Sequence, residues 1–334
     1  MPARIKDVAK RAGVSVATVS RVINGGKNVS DEAKEAVKNA VDELGYSPNY
    51  IARSLVTQKN NMIGVIVPDL TASFFSVILS SIEKETSENN YNILICNIEE
   101  DLDKEIKYLN LFKEMRVDGI IVMHEKADDR IINLMNEISI PIIFCSCVVP
   151  CVNATAIIIN DFKASYDATK YLIDLGHRDI AFIGGDLRDT TSGKDRYDGY
   201  RKALEDNGIN FNKEYVWFSD YKMKSGYNIM EEIIKSDKAP TAIYAVSDDM
   251  AVGALNCILD NGYKVPDDFS IMGFDGGMLI DSVRPKITSM QQPIREMGSI
   301  AIKTLLEHIE TGSELPSQIV LKHKLIINDS CRKL

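Results

Sequence analysis

No apolar run in this chain of 334 residues approaches the roughly 20 consecutive residues that span a bilayer, so no transmembrane helix is expected. The N-terminus, MPARIKDVAKR, lacks a signal peptide's apolar core, and a cytoplasmic protein is expected. In that reducing compartment the six cysteines are expected as free thiols. Cys145, Cys147 and Cys151 form a C-x-C-x3-C cluster. Two of them share a strand face, however, and cysteine commonly serves as a small buried apolar residue, so no metal or redox role is assigned. The four histidines, His124, His177, His308 and His323, are scattered without metal-ligand spacing. There is no Walker motif, and Gly184-Gly185 is too short for a dinucleotide fingerprint. No catalytic residue, metal or cofactor is expected. Low-complexity tracts and short tandem repeats are absent as well.

What remains is an ordinary globular composition, 45% hydrophobic and 26% charged, with length for two or three domains. The net charge of −9 argues against a nucleic-acid partner until it is divided along the chain. Residues 1–60 hold ten Lys or Arg against six Asp or Glu, a balance of +4, which leaves −13 for the rest. A small basic head on a large acidic body implies that only the head meets a polyanion.

Within the head, Ile5, Val8, Ala9 and Ala12 recur at helical spacing, which predicts a helix over 4–12 ended by Gly13. Ser15 offers a cap to a second helix reaching about Ile23. In it Val16, Val19, Val22 and Ile23 form an apolar stripe, and Ser15, Thr18, Ser20, Arg21 and Asn24 a polar face. Ser30 caps a third helix, with Asp31 and Glu32 in its first turn and Gly45 after it. Three short helices with a tight glycine turn between the first two make a helix-turn-helix. The polar face of the second fits a DNA major groove, where arginine pairs with guanine and hydroxyls reach base edges or phosphates. A solvated amphipathic helix in any small bundle explains the pattern equally well. The next segment, GYSPNYIARSLVTQK, favours DNA. A helix as short as 49–57 is marginal alone. Two copies packed over a minor groove would stabilise each other, with Leu55 as a wedge between base steps.

From Asn61 the texture changes to apolar runs (MIGVIV, YNILICN, DGIIVM, IPIIFC, then AIII, DIAFIGG, TAIYAV, SIMGFD) alternating with helix-length amphipathic segments. This predicts parallel sheets covered on both faces, in two units of similar size because the pattern restarts near residue 160. After residue 290 come one more helix and a strand, QIVLKHKLII.

The segments IKDVAKRAGVSVATVSRVING, GYSPNYIARSL and NMIGVIVPDLTASFF closely resemble the LacI/GalR repressors. Further matches, GHRDIAFIGG, KAPTAIYAVSDDMAVGAL, GFDG and VRPKITSMQQP, are similar to the catabolite control proteins of Gram-positive bacteria within that family. The resemblance runs the length of the chain. It implies a helix-turn-helix headpiece over 1–46, a hinge helix and linker over 47–60, and a periplasmic-binding-protein-like α/β core of two doubly wound parallel-sheet lobes. The expected lobes are 61–160 with 291–317 and 161–290 with 318–328, enclosing a ligand cleft at the carboxyl ends of their strands. By the same resemblance Val16, Ala17 and Arg21 read bases. Ser15, Thr18, Ser20, Asn24 and Tyr46 belong to the same DNA-binding set, Leu55 intercalates, and Ala52 lets paired hinge helices approach.

For the effector, strand-end polar groups are the candidates: Asp69 and Phe74 after MIGVIV, Asp248 after TAIYAV, Asp275 after SIMGF, and Arg196. Carboxylates, an arginine and an aromatic face are what a sugar requires. The alternative for Asp248 and Asp275 is that they cap helices or turns. Acidic pairs also fit a glycosidase, for which nothing else speaks. The function implied is a homodimeric repressor of carbohydrate or carbon-catabolite genes, starch degradation among them. It would bind a pseudopalindromic double-stranded DNA operator and answer to a sugar or sugar phosphate, with no membrane partner. A seryl-phosphorylated phosphocarrier protein is the other regulator implied. Lys303 is basic as that contact needs, whereas Glu307 and His308 depart from it. The rival from another class is a sugar-binding transport component without a DNA-binding role.

Overall fold

A computed structural model describes residues 3–23, 29–46, 60–123, 128–149, 151, 153–236 and 239–334. The chain divides into two units, Met1–Asn60 and Asn61–Leu334, each taken by itself.

The first unit holds α1 (Ile5–Ala12), α2 (Val16–Ile23) and α3 (Asp31–Leu44). Gly13 ends α1 at φ +68°, a left-handed conformation that a side chain would strain. The Asp7 carboxylate accepts from the Arg4 N–H at 2.9 Å and closes the other end. Ser15 and Ser30 cap α2 and α3: their hydroxyls accept from Thr18 N at 3.0 Å and from Ala33 N at 3.4 Å. Val8, Val19 and Val37 are fully buried against Ala9 and Ala40, each valine contributing about 1.5–3 kcal/mol on burial. Val16 departs from the expected apolar stripe. It is 41% exposed, one turn from Val19 but rotated off the inner face.

The second unit is two lobes. The first contains β1 (Met62–Val67), α4 (Ser73–Glu88), β2 (Asn92–Asn97), α5 (Leu102–Met115), β3 (Gly119–Val122), α6 (Asp129–Glu137), β4 (Ile142–Cys145) and β5 (Ala154–Ile159). The second contains α7 (Asp161–Asp174), β6 (Ile180–Gly184), a π-turn (Thr190–Asp195), α8 (Arg196–Asp206), β7 (Val216–Phe218), α9 (Met223–Lys235), β8 (Ala242–Ala245), α10 (Asp248–Asp260), β9 (Ser270–Asp275), α11 (Leu279–Ser282) and β10 (Thr288–Gln291). The chain then returns to the first lobe with α12 (Ile294–Thr311), and ends with β11 (Gln318–Leu321) and β12 (Lys324–Ile326).

The sheets run β11-β5-β4-β3-β1-β2 and β12-β10-β9-β8-β6-β7. Every pairing is parallel except β10 with β12. The near-continuous apolar strands follow from burial on both faces. Ile63, Val65 and Val67 of β1 pack with Ile78 and Ile82 of α4 and Met297 and Leu305 of α12. Ile66 packs on the opposite side with Leu109 and Phe112 of α5.

The run QIVLKHKLII, expected as one strand of the second lobe, is two. Gln318–Leu321 pairs with β5 in the first sheet, Ile319 opposite Ile157, so the 318–328 assignment is corrected there. Lys324–Ile326 pairs with β10 in the second. Each sheet has an edge to cover, and Lys322-His323 spans the change between lobes; the His323 Nε2 meets Asp167 Oδ2 at 3.0 Å.

Candidate functional site

Two surfaces carry the expected residues. On α2, Val16, Ala17 and Arg21 are exposed, and Thr18 and Ser20 are half-buried. Arg21 forms no ion pair with any described residue, whereas Arg11 is held by Glu43 at 2.6 Å. Ser15 is occupied as a cap and also meets the Thr18 hydroxyl at 2.8 Å. Tyr46 packs on the head's core, its N–H bonded to Val41 O at 3.0 Å. The helix therefore presents two small apolar side chains and one unpaired guanidinium, backed by buried Val19. Asn24, Ala52, Leu55 and the hinge over 47–59 lie outside the described residues.

The second surface is a cavity of about 560 Å³ between the lobes. The residues following β1, β4, β6 and β8 and the end of β9 line it, so it opens at the carboxyl ends of both sheets, where α/β sheets bind ligands. Asp69 and Phe74 line it from the first lobe, Arg196 and Asp275 from the second. Asp69 accepts from Thr71 N at 2.8 Å and Thr71 Oγ1 at 2.6 Å, which shapes the loop into α4. Phe74 and Phe75 meet edge to face, 5.2 Å between ring centres.

Arg196 is buried. Its Nε donates to Asp161 Oδ1 at 2.7 Å, its Nη1 donates to Val246 O at 2.7 Å, and its guanidinium lies 3.7 Å from the Phe274 ring centre. Burial works against that charge, but Asp161 and Asp275 outweigh it, so the guanidinium holds its proton more tightly than usual. Asp275 lies 4.0 Å from Arg196 Nη1 and accepts from Gln292 Nε2 at 2.8 Å. Burial pushes its carboxyl up to about 7, against the opposing pull of Arg196 and Gln292. Its φ of +109° is a strained backbone value for a residue with a side chain, of a kind found at ligand sites.

Asp248 is the correction. It was expected in the cleft, yet it is fully buried behind the wall. Its carboxylate accepts from Ser289 Oγ and Gly277 N, each at 2.7 Å, and burial raises its pKa well above the usual range. Asp249 takes the cavity face instead. Successive residues of a helix point about 100° apart, so only one of the pair can face inward. Ser73 Oγ donates to Asp249 Oδ2 at 2.9 Å, a hydrogen bond from one lobe to the other. Gln292 and Tyr221 also line the cavity and were not singled out in the sequence. Tyr221 OH donates to Asp189 Oδ2 and lies beside the Ser192 hydroxyl, each at 3.1 Å. Nothing local marks Gln292, which sits on the return crossing between lobes.

In the cysteine cluster Cys145 and Cys147 are buried, and burial pushes the Cys145 thiol up to about 12. Among the described residues no group of three His, Cys, Asp or Glu side chains is placed to hold a metal ion, and no helix is long and apolar enough to cross a membrane.

Residues 60–329 match the family of periplasmic binding proteins and sugar binding domain of LacI family, and residues 4–49 match the bacterial regulatory proteins of the lacI family. The chain belongs to the LacI family. HTH-type transcriptional regulator RegA of Clostridium saccharobutylicum is 38% identical over 99% of both chains. Catabolite control protein A of Priestia megaterium is 33% identical, covering 99% of this chain and all of that one. The Lac repressor dimer bound to operator and the anti-inducer ONPF superimposes with a TM-score of 0.89 at 25% identity, covering 99% of this chain and 100% of that one. As a LacI-family member the chain is a DNA-binding transcriptional regulator and not an enzyme. The match over 4–49 displaces the transport-component alternative. The two surfaces are thus those of a headpiece and an effector-domain fold on one chain.

Proposed function

We propose that this LacI-family regulator acts in the cytoplasm as a homodimeric repressor of carbohydrate or carbon-catabolite genes, polysaccharide degradation among them, and that a sugar-type effector in the inter-lobe cavity controls it. The observation that carries the reading is one chain with both an exposed Val16-Ala17-Arg21 face and a cavity lined by Asp69, Phe74, Arg196 and Asp275. Val16 and Ala17 contact thymine methyls or exclude wrong bases, and Arg21 reads guanine. Thr18, Ser20 and Asn24 contact phosphates or base edges. Leu55 wedges the operator centre, and Ala52 permits close approach of paired hinges. One reading helix contacts too few bases for specificity, which two heads on a palindromic operator supply.

The effector acts by binding one lobe arrangement better than the other; without that difference nothing switches. The Ser73–Asp249 bond across the lobes is one contact such a change would make or break. The phosphocarrier route is less favoured. Lys303 on α12 is exposed but paired with Glu85 at 2.9 Å, and Glu307 stands exposed on the same helix.

The test is operator selection with the full-length protein, followed by titration with sugars, with and without seryl-phosphorylated phosphocarrier. A salt-sensitive preference for a palindromic duplex, altered by a sugar, is expected. No preference for any palindrome overturns the reading.

A further inference from the structure

Resting on the reading of the cavity as an effector site, we infer that it selects an uncharged, hydroxyl-rich ligand and excludes phosphorylated and other anionic forms of the same skeleton. The charge of the lining argues against an anion, and an unmet acceptor asks for a hydroxyl.

The first is charge. Among the described residues, seven carboxylates and four cations line the cavity. Arg196 is committed to Asp161 and Val246 O. Arg188 is clasped by Asp186, its Nε 2.9 Å from Oδ2. Lys222 lies 3.9 Å from Asp220. That leaves exposed Lys224, at the rim, as the lining cation with no acid partner among the described residues. A phosphate is ordinarily met by cations or by the bare N–H groups of a helix start. Of the helix starts that line the cavity, that of α10 carries its own Asp248 and Asp249, and Ser247 caps its Met250 N–H at 3.2 Å, whereas those of α4 and α9 have no side-chain cap. An anion would meet a surplus of carboxylates, with three of the four lining cations already paired.

The second is an unmet acceptor. Gln292 is 2% exposed and lines the cavity, and its Oε1 has no hydrogen-bond partner among the described residues. Its Nε2 is spent on Asp275. A buried acceptor left open is costly and calls for a donor. A sugar hydroxyl supplies one, so the acceptor asks for a hydroxyl-bearing ligand, while the exclusion of anions rests on the charge of the lining. Phe74, Phe75 and Tyr221 supply surface for the C–H faces of a ring, and 560 Å³ suits a small molecule.

Matched pairs test this on the full-length protein: glucose and glucose 6-phosphate, fructose and fructose 6-phosphate, ribose and ribose 5-phosphate, with maltose and cellobiose as larger neutral probes. Affinity is read by calorimetry and its effect by operator release. For any skeleton that binds, the neutral member is expected to bind about a hundredfold tighter or more, the scale of like-charge exclusion. Asp186→Asn removes one lining carboxylate and frees Arg188, and is expected to raise affinity for the phosphorylated member about tenfold relative to its neutral partner. A phosphorylated member that binds as tightly as its neutral partner in the native protein overturns the inference and leaves the effector reading standing. If no member of any pair binds, the effector reading fails and takes the inference with it.

Discussion

Replacing Arg196 with methionine probes the electrostatic centre of the second lobe. The guanidinium is buried between Asp161 at 2.7 Å and Asp275 at 4.0 Å, and it also satisfies the Val246 carbonyl at 2.7 Å. Methionine keeps most of the volume above the Phe274 ring but removes the charge and the donors. Breaking a buried pair from one side leaves an uncompensated charge, at a cost of about 3–5 kcal/mol. The variant has an escape: Asp275, whose carboxyl burial already pushes up to about 7, can take up a proton. A carboxyl whose pKa is raised in the folded state binds protons that the unfolded chain releases, so stability falls as pH rises from the ordinary carboxylate range toward the raised value. The destabilisation of Arg196→Met is therefore expected to be larger at pH 8 than at pH 5.5. Asp161→Leu added to it should restore part of the loss, because the orphaned charge goes with it. Urea unfolding at the two pH values, on both variants, measures this. A cost below about 1 kcal/mol at pH 8, or a cost independent of pH, refutes the claim that this ion pair stabilises the lobe.

Arg21→Ala is expected to cost about 1–3 kcal/mol in operator affinity and to relax specificity at one base pair in each half-site; unchanged footprints remove α2 from the groove. Because burial raises Asp275 to about 7, a ligand hydroxyl that donates to its carboxylate favours the ionised form. Effector affinity should then rise with pH up to about 7 and level off above it, with proton release on binding; calorimetry in two buffers of different ionisation enthalpy checks both, and flat affinity from pH 5.5 to 8.5 counts against the contact. Ser73→Ala deletes the inter-lobe bond to Asp249, which should shift the scattering profile of the unliganded core toward an open form, and an unchanged profile shows that the bond does not hold the lobes. Ser15→Ala removes the cap of α2 and should lower headpiece stability by about 1 kcal/mol without moving the melting of the core.

The headpiece was legible almost residue by residue. Its boundaries depend on Gly13, Ser15, Ser30 and Gly45, each acting through hydrogen bonds or a φ value within a few residues of itself. Its outward face was only half legible, because Val16 fits the apolar period and yet packing leaves it exposed. The parallel sheets were visible because strands buried on both sides must be apolar throughout.

Sequence by itself determined which segments are helix and strand, where the basic head stops, and which strand ends carry polar groups, since periodicity, caps and charge are local properties. Tertiary structure alone decided that Asp249 and not Asp248 faces the cavity, that QIVLKHKLII serves both sheets, and that Gln292 brings an open acceptor beside Asp275. Each of these depends on where distant parts of the chain meet, and no pattern within a window of ten residues records the direction in which a neighbouring lobe will lie.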